Sequence, residues 1–111
     1  MGGAHMKYRV EHQDSDRTLL MKEMINFDGT TEQLLREQCE KQIARRQRCD
    51  RRLAEAIDGY TTEKKYRYEI TGREAILYIG DDNSVGEITI ATPIGSAIQK
   101  GIRGRVAGAE A

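Results

Sequence analysis

The sequence predicts an α+β fold: an antiparallel sheet of three to five strands, one long helix over about residues 30–57 and one short helix over about 93–100. Three observations carry this expectation. Apolar residues alternate at period two in short runs near both ends of the chain. One long run, Thr30 to Ile57, has helical spacing and opens on a capping signature. Turn formers at Asp28-Gly29, Asp58-Gly59, Thr71-Gly72 and Gly80 to Ser84 separate the runs.

Met1 to His5 look like the remnant of an expression tag, with Met6 as the natural start, and carry no fold information. Residues 6–111 are expected to form a single domain. It comprises an N-terminal hairpin (6–27), the long helix (30–58) and a second sheet region with its helix (62–106). Residues 7–13 put Tyr8, Val10 and His12 on one side of a strand and Lys7, Arg9 and Glu11 on the other. Asp14-Ser15-Asp16 turns the chain. Residues 17–26 fit either period, and the second strand of a hairpin is favoured. In the long helix, Thr30 and Gln33 form a capping box, and Gly59 is the expected C′ residue. Its packed seam reads Leu35, Cys39, Gln42/Ile43, Arg46, Cys49, Leu53 and Ala56/Ile57. The middle of that seam is polar, so it is expected to project past the sheet or meet another chain. Beyond Gly59, three strands follow. Tyr66, Tyr68 and Ile70 alternate, Ala75 to Ile79 is a short apolar run, and Glu87 to Ala91 alternates with Ile88 and Ile90 inward. Thr92 and Pro93 then read as N-cap and N1 of the short helix. The tyrosines Tyr8, Tyr66, Tyr68 and Tyr78 are expected in the sheet core.

Composition narrows the function. Lys plus Arg and Asp plus Glu are both 18, so the net charge is zero. That argues against nucleic-acid binding through the overall field. The chain has no tryptophan, one phenylalanine and one proline. So small an aromatic content in about 106 residues points to a homodimer or larger assembly. The longest apolar run is five residues, so no membrane span is expected. Cys39 and Cys49 are too far apart on one helix to pair, which suits a reduced, cytoplasmic setting. With His12 as the one histidine past the tag, a zinc site or a nucleophile–histidine pair is not expected. No general acid or base has supporting residues, no cofactor motif is found, and an enzyme is not expected.

Charge is concentrated, however. Lys41, Arg45, Arg48 and Arg52 share one helical face, with Arg46 and Arg51 nearby. Between residues 41 and 52 six bases meet one acid, Asp50. Such a stripe suits phosphates or an acidic protein partner. A solvated face, supported by Glu37–Lys41 at i,i+4, accounts for the same residues. Thr92, Gly95 and Ser96 at the expected helix start suit an anion, with Arg103 and Arg105 assisting. An ordinary helix start is the favoured account of the same residues. Asp28 with Glu32, and Asp81 and Asp82 with Glu87, are candidate contacts for magnesium or a basic partner, although such acids are more often turn and loop residues.

The stretch from Ile70 to Asp82 and then Val85 to Ile98 resembles the C-terminal domain of the bacterial Gre transcript-cleavage factors. Gly86, Ile88, Ile90, Thr92, Pro93, Ile94, Gly95, Ala97, Ile98 and Gly104 fall in register with that family's pattern, and about 35 residues are covered. The resemblance implies an FKBP-like antiparallel sheet with a short helix, docking on RNA polymerase near its secondary channel. The family precedes this domain with a long helical hairpin whose acidic tip reaches the active site. Here one long helix is clear, and Asp28 and Glu32 stand near the tip position without its flanking motif, so stimulated cleavage is not expected. The family also continues with two further strands. Here the N-terminal strands are expected to take that place, in cis or by exchange between chains. The leading expectation is therefore a non-enzymatic, truncated Gre-like module contacting RNA polymerase. The rival is a small oligomeric phage or mobile-element protein that binds an anionic, nucleotide-like ligand between subunits.

Overall fold

A computed structural model of the chain describes residues 5–60 and 64–96. In chain order these form β1 (Met6–Gln13), β2 (Leu19–Phe27), α1 (Thr31–Ala56), β3 (Tyr66–Thr71), β4 (Glu74–Ile79) and β5 (Ser84–Ser96). The strands make one antiparallel sheet in the order β2-β1-β5-β4-β3. The helix lies across one face, giving the α+β architecture that the two periodicities predicted. Among the described residues, no helix is long and apolar enough to cross a membrane.

The sheet is organised around β1. Tyr8, Val10 and His12 are buried under the helix, and β1 pairs on both sides. The ambiguous segment 17–26 is strand β2, with Tyr8 opposite Ile25 and Val10 opposite Glu23. The turn before it is built by Asp14, whose Oδ1 accepts from the backbone N–H of Asp16 and Thr18, both at 2.9 Å. On its other side β1 pairs with β5 within the same chain, Val10 opposite Ala91 and Glu11 opposite Ile90. The core is Tyr8, Val10, Leu34, Leu35, Cys39, Ala75 and Ala91, with Met6, Ile25, Phe27, Tyr68 and Ile70 against it.

The helix starts as expected. The Thr30 hydroxyl accepts from Gln33 N–H (3.1 Å), and the Gln33 side chain accepts from Thr30 N–H (2.7 Å). It ends at Ala56, one residue early, with Ile57 as cap. Gly59, expected at C′, stands one position later, at C″, and takes a positive φ of 82°.

Several expectations are corrected. Thr92 and Pro93 do not start a helix, because β5 runs on to Ser96. Pro93 faces Tyr8 beside a register shift between Lys7 and Tyr8, and a bulge is where a residue without an N–H fits a sheet. The β4 pairing has already ended at Ile90, so the other edge of β5 is open there. Residues 97–100 of the expected short helix, with Arg103 and Arg105, lie outside the described residues.

Ile88 and Ile90 do not face the helix. Thr89 is opposite His12, and Glu87 is opposite Leu77, so the polar residues of β5 take the helix side. The isoleucines lie on the far face, where Ile88, opposite Ile76, is nonetheless buried as its alternation predicted and Ile90 is half-buried. The helix seam is corrected likewise. Leu34, Leu35, Gln38, Cys39, Gln42 and Asp50 are buried, whereas Cys49, Ala56 and Ile57 are exposed. The polar middle docks on the sheet instead of projecting from it: Gln42 is 1% exposed. Of the tyrosines, Tyr8 is core. Tyr66 and Tyr68 are half-buried beside the helix, where their hydroxyls donate to Asp50 (3.0 Å) and Glu40 (2.7 Å). Tyr78 lies on the far face under the Arg67 guanidinium, 4.2 Å from the ring centroid.

Candidate functional site

The polar seam of the helix meets the polar side of β5, and this defines the site. His12 is at its centre. Its Nδ1 is 2.9 Å from Gln42 Nε2 and 3.2 Å from Glu87 Oε2. Its Nε2 is 3.2 Å from Glu23 Oε2. Gln42 Nε2 also donates to Thr89 Oγ1 at 3.1 Å. The Glu87 carboxylate raises the His12 pKa, against the lowering effect of burial and with help from Glu23. Both ring nitrogens thus face carboxylates, which favours the doubly protonated ring.

The amide of Gln42 responds to that charge. Donation from Nε2 to Nδ1 needs a neutral ring with Nδ1 free of hydrogen. When the ring takes a second proton, Nδ1 becomes a donor to Glu87, and the amide is better satisfied with its oxygen facing the ring. As placed, Gln42 Oε1 is buried with no partner. The seam therefore has one unsatisfied polar atom tied to the state of His12.

Above this cluster, four arginines of α1 open a groove of about 500 Å³. It is lined by Arg45, Arg46, Arg48, Cys49, Arg52 and Glu87. Helical spacing is the cause: positions 45, 48, 49 and 52 fall on one face, three or four residues apart. Arg46 lies between the groove and the sheet, donating to Gly86 O (3.2 Å) and standing 3.7 Å from Glu87 Oε1. Arg45, Arg48 and Arg52 have no ion-pair partner among the described residues. Asp50, the single acid in this stretch, does not neutralise them. It is buried on the β3 side, where it accepts from Tyr60 (2.9 Å), Tyr66 (3.0 Å) and Lys64 (3.2 Å). Burial opposes its ionisation, but these donors outweigh burial and lower its pKa.

The sequence candidates divide clearly. Arg45, Arg48 and Arg52 line the groove; Lys41 is exposed on the helix and does not. Thr92, Gly95 and Ser96 are at the opposite end of β5, paired with Arg9, Lys7 and Met6. Five strand residues from Glu87 to Thr92 span roughly 17 Å, so one chain does not bring that segment to the groove. Asp28 is exposed beside the helix start, and Glu32 is paired with Arg36 at 2.8 Å. Asp81 meets Lys65 at 3.3 Å on the open surface. Asp82 accepts from the Ser84 hydroxyl (2.8 Å) and N–H (3.2 Å), which lower its pKa. These acids serve turns and surface pairs. Among the described residues, no group of His, Cys, Asp and Glu is arranged to hold a metal ion.

His12, Gln42 and Thr89 were not singled out by the sequence as site residues; Glu87 was, as an acidic contact candidate grouped with Asp81 and Asp82, and it lines the groove beside Arg46. The available signal was the match of a polar helix seam, Gln42 and Arg46, to polar positions on strands. The two cysteines also separate. Burial pushes the Cys39 thiol up to about 11, while Cys49 is exposed at the groove. No protein-family model matches the chain, and no curated protein or solved structure matches it either.

Proposed function

We propose that the protein is a non-enzymatic binding module that takes up an anionic, phosphate-bearing ligand in the arginine groove. One observation carries the reading: Arg45, Arg48 and Arg52 converge with Arg46 on a single concavity, the first three without carboxylate partners among the described residues. Guanidinium groups bind phosphate oxygens through paired, charge-assisted hydrogen bonds. A concavity of about 500 Å³ is in the range of small-ligand sites. The three arginines repel one another, and a bound anion would relieve that repulsion.

Calorimetric titration with inorganic pyrophosphate at low salt tests this. Saturable binding that weakens as salt rises is expected. It should be lost in the Arg45→Glu, Arg48→Glu, Arg52→Glu triple variant. Undiminished binding by that variant would reduce the stripe to a solvated face.

A second reading is contact with bacterial RNA polymerase. It is supported by the Gre-like stretch together with the pairing of β1 against β5 in one chain. Retention of purified polymerase by the immobilised protein, lost in the same triple variant, is its expected outcome. No retention at low salt overturns it.

A further inference from the structure

The arginine groove contains one acid, and its placement is informative. Glu87 sits on the helix side of β5 and is 9% exposed, yet it lines the groove. Its Oε2 stands 3.2 Å from His12 Nδ1, which donates to it when the ring is doubly protonated. Its Oε1 has only the Arg46 guanidinium at 3.7 Å, beyond hydrogen-bond length. An ionised carboxylate offers about four acceptor positions. Among the described residues Oε1 therefore keeps acceptor capacity unused, on a side chain that lines the groove. Glu87 is also held in place: one oxygen stands against His12, itself 3.2 Å from Glu23, and the Glu87 backbone is paired opposite Leu77 of β4.

A bare oxyanion is poorly matched to this arrangement. When fully ionised, as sulfate is, it carries acceptors only, so it satisfies the arginines and leaves Glu87 facing a second negative charge. A ligand with both a phosphate and a hydroxyl satisfies both. Resting on the anion-binding reading above, the geometry points to a hydroxyl-bearing phosphate ester, a sugar phosphate or nucleotide, as the ligand class. Its phosphate is held by Arg45, Arg48 and Arg52, and its hydroxyl donates to Glu87 Oε1. Glu87 is the residue that separates this class from sulfate and from fully ionised phosphates without a hydroxyl group.

Two probes of nearly equal size test the assignment: glycerol phosphate, which has hydroxyl groups, and n-propyl phosphate, which has none. Both are titrated into the full chain by calorimetry, beside pyrophosphate. Wild type is expected to bind glycerol phosphate about tenfold more tightly, the ratio expected of one charge-assisted hydrogen bond. In Glu87→Gln the n-propyl phosphate should bind more tightly than in wild type, because repulsion is gone, and the preference should shrink toward one. Equal binding of the two esters by wild type overturns the ligand class and leaves the anion site standing. Persistence of the tenfold preference in Glu87→Gln overturns the role of Glu87. Failure of all three probes, pyrophosphate included, overturns the anion-binding reading itself. The wild-type comparison needs no variant to fold.

Discussion

At the scale of single residues, His12 links the fold to pH. Unfolded, it titrates near the ordinary imidazole value of about 6.5. Folded, its pKa is raised by Glu87, against burial and with Glu23 assisting. The native state thus binds the proton more tightly. Its contribution to stability is complete below about pH 6.5 and is lost as pH rises through the folded value. Urea midpoints should fall from about pH 6 to about pH 8 in wild type, and His12→Gln should lack that slope. Equal slopes in the two proteins would remove His12 as the cause. The cysteines offer a second residue-scale expectation. An alkylating reagent near neutral pH should label Cys49 and spare Cys39, and pyrophosphate should slow the labelling. Mass spectrometry of the digested protein reads both, and unchanged Cys49 labelling under saturating pyrophosphate would place the anion elsewhere. Cys39 and Cys49 look alike in sequence. Their difference comes from a ten-residue offset that puts one under the sheet and the other beside the arginines.

At the scale of elements, boundaries written in local chemistry were readable in advance. The Thr30–Gln33 capping box is one, since every group it uses lies within four residues. Thr30→Ala should lower stability by about 1 kcal/mol in denaturant titration. A change near zero would mean water caps the helix equally well. Where two local readings competed, pairing decided. Residues 17–26 became a strand because β1 offers a partner edge (Leu19 opposite Gln13, Phe27 opposite Met6). Thr92-Pro93 remained strand for the same reason, although its composition is that of a helix start. The β5 bulge is a further element-scale feature. Gly86 is the extra residue between the Leu77–Glu87 and Tyr78–Val85 pairs. Its carbonyl accepts from Arg46. Gly86→Ala must displace Ile79, and a loss of about 1–3 kcal/mol is expected, together with weaker pyrophosphate binding as Glu87 and Arg46 shift. Unaltered stability and binding would show that Ile79 turns aside freely.

At the scale of the whole molecule, the sheet is closed by the helix on one face and left open along β2. Leu19, Leu20, Met21 and Met24 are each about half exposed on that edge strand. Lys22 and Glu23 are its only charges. Edge strands of this kind pair readily with another chain. Self-association through β2 is therefore expected, with Met24→Lys lowering the mass seen in sedimentation. A wild-type monomer at high concentration would overturn it. The polar middle of the helix needs no second chain, because Gln42 and Arg46 find Thr89, His12 and Glu87 within one.

The sequence by itself determined the periodicities, and with them the strands, the helix and its capped start. It also determined the basic stripe, because all of these depend on residues a few positions apart. Only the tertiary structure decided which face of β5 turns inward, that His12 belongs with Glu87 and Glu23, and that the arginines form a groove with an acid in it. Those depend on register between strands far apart in the chain. A one-residue change of register exchanges the two faces of a strand. For β5 the choice was between Ile88 with Ile90 and Glu87 with Thr89, and alternation is the same for both. Pairing with His12 and Leu77 selected the polar pair.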